Sequence, residues 1–276
     1  MKRLAMTAAA IAAAVAVVWA VLSLTVLRGT DTHGASVEEL TVESEAVPGD
    51  HPVSVVVPDG GGSGRPLLVF LHGRSGDSGT YVDEEAFFEA LEDQGDRAPV
   101  VAFPDGGESS YWHDRANGAW GKYLIEEVVP EVADRFGTGT GRVAVGGISM
   151  GGFGALNLAA QHPGLFCAAG GHSPALFLSG AESAAGAFDD AADFDRNDVI
   201  ATAREDAGAF AGTPVWLDAG RKDPFVPGVA AMTDALEANG ADLTAKEGWR
   251  GGHDDRYWNA HWDEYLDFYA AALADC

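Results

Sequence analysis

The chain has 276 residues, 47% of them hydrophobic, and carries 42 Asp and Glu against 17 Lys and Arg, a formal charge of −25. So acidic a protein repels polyanions, which argues against nucleic acid as a partner. Set apart from its first residues, the chain is long and apolar enough for one domain of ordinary enzyme size.

Lys2-Arg3 precedes an apolar run from Leu4 to Leu27 whose only polar members are Thr7, Ser23 and Thr25. At about 1.5 Å per residue, a helix of that length crosses a hydrocarbon core of roughly 30 Å. Basic residues ahead of it predict a cytoplasmic N-terminus and an extracytoplasmic remainder. A cleaved signal peptide is the competing reading, since Ala14-Val15-Ala16 has the small-x-small form; the length of the run favours an uncleaved anchor. Residues 1–28 therefore read as a transmembrane signal-anchor or signal helix. Residues 29–50 read as a polar tether able to add an edge strand, and 51–276 as the folded domain.

Val53 to Val57 reads as a strand closed by a glycine-rich turn. Leu67 to Leu71 is a buried strand that runs into His72-Gly73-Arg74. Tyr81 to Asp93, with Phe87, Phe88 and Leu91 at helical spacing, predicts a surface helix. Pro99 to Phe103 is the next strand, and Pro104 to Gly118 a loop that carries Tyr111 and Trp112. Loops in this position line crevices, so these two aromatics are candidate substrate contacts. Trp120 to Phe136 predicts an amphipathic helix with a kink at Pro130.

In Arg142 to Ala155 an apolar, β-branched segment enters Gly147-Ile-Ser149-Met-Gly151 and a helix-forming stretch follows. Strand, sharp turn and helix around G-x-S-x-G make a nucleophile elbow. The turn lifts the Ser149 hydroxyl clear of the sheet. It also frees the backbone N–H of Met150 at a helix N-terminus, suited to a developing oxyanion. A strand ending in His72-Gly73 ahead of such an elbow suggests the Arg74 N–H as second donor.

Leu165 to Gly170 predicts a strand, followed by His172-Ser173, adjacent residues poorly placed to act on each other. Pro174 to Thr213 reads as an insertion over the crevice, with an acidic stretch from Asp189 to Asp198. Pro214 to Ala219 is a strand. Asp223, just past its end, is the candidate acid, and Asp218, inside the strand, its rival. Val229 to Asn239 predicts a helix and Leu243 to Lys246 the last strand. His253 then lies in a glycine-flanked loop, free to reach Ser149 as general base. Cys167, in an apolar run, reads as a buried thiol. A bridge to the terminal Cys276 is the alternative outside the cytoplasm, and neither cysteine has metal-ligand spacing.

Leu71-His72-Gly73, the Gly147–Gly152 elbow, Gly220-Arg-Lys-Asp223, Gly252-His253 and Trp262 with its helix occur in order. In these motifs the chain resembles the esterase D, or putative esterase, family of α/β-hydrolases. That family includes carboxylesterases, feruloyl esterases, S-formylglutathione hydrolases and the antigen 85 mycolyltransferases. The resemblance implies an α/β-hydrolase fold, with a mostly parallel central sheet and helices on both faces. It implies a Ser149–Asp223–His253 triad, an oxyanion hole from Arg74 and Met150, and no metal or other cofactor. The expected substrate is a small-molecule, lipid or glycan ester, cleaved by hydrolysis or passed to an acceptor alcohol; a catalytically silent surface binding module is the remaining alternative, since fold alone does not fix function. The expected partner besides substrate is the membrane, through the N-terminal run.

Overall fold

Eight strands form one sheet in the computed structural model, which describes residues 29–139 and 141–276. They are β1 (Ser36–Glu43), β2 (Asp50–Val57), β3 (Leu67–Leu71), β4 (Val100–Pro104), β5 (Val143–Ile148), β6 (Ala169–His172), β7 (Val215–Gly220) and β8 (Leu243–Trp249). Their spatial order is β1-β2-β4-β3-β5-β6-β7-β8. β2 is antiparallel to both its neighbours, and all other pairs are parallel. β4, β3 and β5 at the centre are apolar throughout because both faces are covered. In β3, Leu67, Val69 and Leu71 join one core, while Leu68 and Phe70 join the other. That alternation is the period of two dictated by the strand's pleat.

The second core holds α1 (Glu85–Asp93) and the terminal α8 (Trp262–Asp275), through Phe87, Phe88, Trp262, Tyr265 and Tyr269. The first core holds α2 (Val129–Phe136), α3 (Met150–Gln161), α5 (Val199–Glu205) and α6 (Val226–Ala238). The apolar run Leu4 to Leu27 lies outside the described residues. Among the described residues no helix is long and apolar enough to cross a membrane.

Within residues 29–50 lies the edge strand the tether was able to add: β1 pairs residue for residue with β2, from Ser36 opposite Val57 to Glu43 opposite Asp50. Several expectations need correction. The helix expected over Trp120 to Phe136 is interrupted by a π-helical segment, Tyr123–Val128, directly ahead of α2. Pro130, in the first turn of α2, has no N–H to return to the preceding turn, and widening that turn absorbs the mismatch. β6 starts at Ala169 rather than Leu165, which is 44% exposed. Its two glycines have a packing reason, since a Cβ at Gly170 would overlap the Tyr269 hydroxyl.

The insertion folds into α4 (Ala191–Arg196) and α5. Asp190 and Asp198 cap their N-termini, accepting from the Asp193 and Ala201 N–H groups. Asp193 meets His113 at 3.1 Å and Asp189 meets Arg115 at 2.8 Å, which ties the insertion to the loop after β4. Cys167 is not a free thiol. It is bridged to Cys276 with a Cα–Cα distance of 5.8 Å, which fastens the chain's end to the base of β6.

Candidate active site

Ser149 stands alone between the end of β5 and the start of α3, with φ 58° and ψ −114°. A positive φ is uncommon for a residue with a Cβ and persists only where the surroundings over-determine it. Here they do. A Cβ at Gly147 would lie 2.7 Å from the Leu71 carbonyl oxygen, and one at Gly151 would overlap that same oxygen. The two glycines let the end of β3 press against the turn, so the elbow has no room to relax.

Three side chains from distant loops meet at this point. The Ser149 hydroxyl lies 2.9 Å from His253 Nε2, and His253 Nδ1 lies 2.9 Å from Asp223 Oδ2. The Asp223 side chain is fully buried, and its other oxygen accepts the Phe225 N–H at 2.8 Å. An ionised carboxylate only accepts, so Nδ1 carries the imidazole proton and the lone pair on Nε2 faces the serine O–H. The loops that bear Asp223 and His253 are laced together. Arg221 N–H donates to Trp249 O and Lys222 N–H to Gly251 O, at 2.9 and 3.0 Å. The rings of Phe225 and Trp258 stand edge-on to His253, each with centroids 5.1 Å away.

The Gly73–Arg74 peptide is held by its carbonyl. Gly73 O accepts from His72 Nδ1 at 2.7 Å and from the Gly76 N–H at 3.1 Å, while His72 Nε2 accepts from the Gly106 N–H at 2.9 Å. In a trans peptide the N–H points opposite the C=O, so anchoring the carbonyl orients the Arg74 N–H. Met150, as first residue of α3, has an N–H without an intrahelical acceptor. Among the described residues neither of these N–H groups donates to another backbone group outside regular elements. Arg74, Tyr81, Ile148, Ser149, His253 and Trp258 line one cleft of about 440 Å³.

Tyr111 and Trp112 do not line that cleft; both are buried, at 2% and 0% exposure. Trp112 fills the space left by Gly106 and Gly154, and its Nε1–H donates to His72 O at 3.2 Å. Tyr111 packs edge-on to Phe153. Their apolar surface is consumed in pinning the loop after β4 beneath the His72-Gly73 turn. Tyr81 and Trp258, at the cleft instead, are aromatics that sequence reasoning passed over. The signal for Trp258 was its place five residues beyond His253.

Asp218 faces away from the cleft. Fully buried, it accepts from His172 Nδ1, Trp216 Nε1 and the Tyr257 hydroxyl at 2.8 Å each, and from the Tyr265 hydroxyl at 3.0 Å. His172 Nε2 meets the Tyr269 hydroxyl at 2.8 Å, and burial pushes the His172 pKa down. Among the described residues no group of three or more His, Cys, Asp or Glu side chains is placed to hold a metal ion.

A family model described as "Putative esterase" matches residues 44–272. The chain belongs to this esterase family. Two curated relatives, Esterase Rv1288 and Esterase MT1326 from strains of Mycobacterium tuberculosis, are each 32% identical to this esterase-family chain over 144 residues. The match covers 48% of the chain and 30% of each relative, so it spans less than a third of their length. A solved ferulic acid esterase superposes with a TM-score of 0.76 at 18% identity, covering 86% of this chain and 99% of that one. An S-formylglutathione hydrolase from Agrobacterium tumefaciens gives 0.74 at 19%, with 87% and 96% covered. MPT51 (FbpC1) from Mycobacterium tuberculosis gives 0.67 at 19%, with 86% and 99% covered. At such identities the superpositions establish the shared α/β-hydrolase fold, with its mostly parallel sheet.

Proposed function

We propose that this esterase-family chain is a serine carboxylic-ester hydrolase that works through an acyl-enzyme on Ser149. The observation that carries the reading is the continuous contact from Asp223 through His253 to the Ser149 hydroxyl, 2.9 Å at each step, at the floor of an open cleft. His253 Nε2 takes the serine proton as Oγ attacks the ester carbonyl carbon. The resulting oxyanion is held by the Arg74 and Met150 N–H groups; a single such donor is typically worth about 10²–10³ in rate. The imidazolium, steadied by the Asp223 carboxylate, then returns the proton to the departing alkoxide. Water, activated by the same imidazole, cleaves the acyl-enzyme and restores Ser149.

The substrate class is a small-molecule, lipid or glycan ester. Interception of the acyl-enzyme by an alcohol in place of water makes the same machinery an acyltransferase. The chain works outside the cytoplasm, secreted or held at the membrane by the run Leu4 to Leu27. In support, Lys2-Arg3 precedes that run, and the Cys167–Cys276 bridge suits an oxidising compartment.

The test is fluorophosphonate labelling with turnover of p-nitrophenyl esters. The expected result is a label on Ser149 that Ser149→Ala abolishes, and free acid as the product. No labelling of the native chain refutes the reading. A new ester formed with added sugar or lipid alcohols assigns the transferase instead.

A further inference from the structure

We propose that Asp218, His172 and Ser173 are positioning residues for the general base: they clamp α7 (Asp255–Asn259) to the sheet, and α7 holds His253 against Ser149. The inference rests on the catalytic reading of Ser149, Asp223 and His253 given above.

α7 has five residues, too few for a helix to persist on its own strength. It begins two residues after His253, so its placement fixes one end of the loop that carries the imidazole. Its own capping is local: Asp254 accepts the Tyr257 N–H at 3.0 Å. Asn259 ties its last residue to Glu84, and a pair of side chains at consecutive positions ties it to the sheet. The Tyr257 hydroxyl donates to Asp218 Oδ2 at 2.8 Å, and Trp258 Nε1–H donates to Ser173 Oγ at 3.0 Å. The acceptors sit on one strand and directly after its neighbour. Asp218 lies in β7, opposite His172 of β6, and Ser173 follows His172 directly.

Both contacts reach the histidine loop. The Tyr257 ring packs so closely on Gly251 that a Cβ there would overlap it. Trp258 stands edge-on to the His253 ring, with an interplanar angle of 87°. One residue of α7 therefore supports the approach to His253, and the next walls its ring.

The acceptors are themselves fixed. A carboxylate has about four lone-pair sites, and Asp218 has four donors: one imidazole, one indole and two phenols. The buried anion is thus fully hydrogen-bonded without a cation. His172 is held in the tautomer that donates from Nδ1, with Nε2 accepting from Tyr269. Ser173 is buried with φ 46°, and its N–H donates to Asp218 O at 2.9 Å. That backbone bond helps hold the serine in its uncommon conformation, with its hydroxyl on the indole of Trp258 rather than in the cleft.

The experiment uses the full chain carrying Tyr257→Phe or Ser173→Ala, each removing one clamp with little change in volume. Three quantities are read: kcat and KM on a p-nitrophenyl ester, the thermal midpoint, and the downfield proton resonance of the His253 Nδ1–H bonded to Asp223. Both variants are expected to lower kcat about 10-fold or more with KM within about twofold, since misplacing a catalytic group is felt in the chemical step. The imidazole resonance is expected to broaden or vanish while the protein remains folded. Asp218→Asn, which sets an amide against phenol donors, is expected to do the same more severely; should it not fold, the other two variants carry the test. Retention of kcat within twofold, or of a sharp imidazole resonance, in both variants overturns the proposal. Failure of the hydrolase reading is recognised separately: the native chain then takes no fluorophosphonate label, whereas the resonance reports the His253 geometry without turnover.

Discussion

Breaking the Cys167–Cys276 bridge is expected to cost stability and spare catalysis. The bridge closes a loop with a sequence separation of 109 residues. In the chain-entropy account, a loop of that size restrains the unfolded chain by about 4.7 kcal/mol. For a domain this large, each kcal/mol moves the thermal midpoint by about 2–4 °C, so loss of the bridge should lower it by about 9–19 °C. The Cys167 N–H donates to Val143 O, at the first residue of β5, whereas Ser149 follows its last residue. The cross-link and the cleft therefore sit at opposite ends of the same strand. Scanning calorimetry on the oxidised chain, the reduced chain and Cys276→Ser measures the shift, and ester hydrolysis at 25 °C measures the site. A shift below about 3 °C refutes the entropic argument. Loss of activity at 25 °C from a still-folded reduced chain refutes the separation of the two ends.

Further predictions concern the elbow, the buried loop and pH. Ser149→Ala should reduce kcat on the order of 10⁶-fold while leaving the thermal midpoint near that of the parent, measured by turnover and melting. Gly151→Ala, whose Cβ would overlap the Leu71 carbonyl oxygen, should lose about 1–3 kcal/mol in denaturant melts and about 100-fold in kcat; parental values for both would show that the elbow can yield. Trp112→Phe should weaken stability without changing the ranking of acyl chain lengths, because its ring is sealed from the cleft; a re-ordered chain-length profile would count against that. Burial lowers the pKa of both His113 and His172 below their ordinary 6.5. Below that pH the unfolded chain binds protons that the folded one refuses, so their contribution, complete above about pH 6.5, falls as the pH drops toward the folded values. Denaturant midpoints that rise on acidification from pH 7.5 to 5.5 would contradict the sign.

The elements that could be read in advance are those whose pattern is local. The β3 run Leu67 to Leu71 and the glycine-flanked Ser149 each announce their geometry within a few residues. Position past a strand end points to Asp223 over Asp218, because a carboxylate there can enter a cleft and one inside the strand meets the layer beneath. What a local pattern does not show has a different cause. Whether Trp112 wets a cleft or fills a void depends on Gly106 and Gly154, and the latter lies 42 residues further on. The start of β6 is hidden because Gly170-Gly171 is a poor strand by propensity, yet it is the pair that admits the Tyr269 hydroxyl and the Leu156 side chain. Pairing of Cys167 with Cys276 follows from the route of α8 back to the base of the sheet, which no spacing encodes.

The lacing between the loops of Asp223 and His253 bears on how the site breathes. Two main-chain bonds join the acid and the base, and α7 ties both to the same sheet that carries the serine. Thermal motion should therefore carry the three side chains together and preserve both 2.9 Å contacts. The resting enzyme would then keep its serine cocked between turnovers, with no rearrangement of the triad before attack.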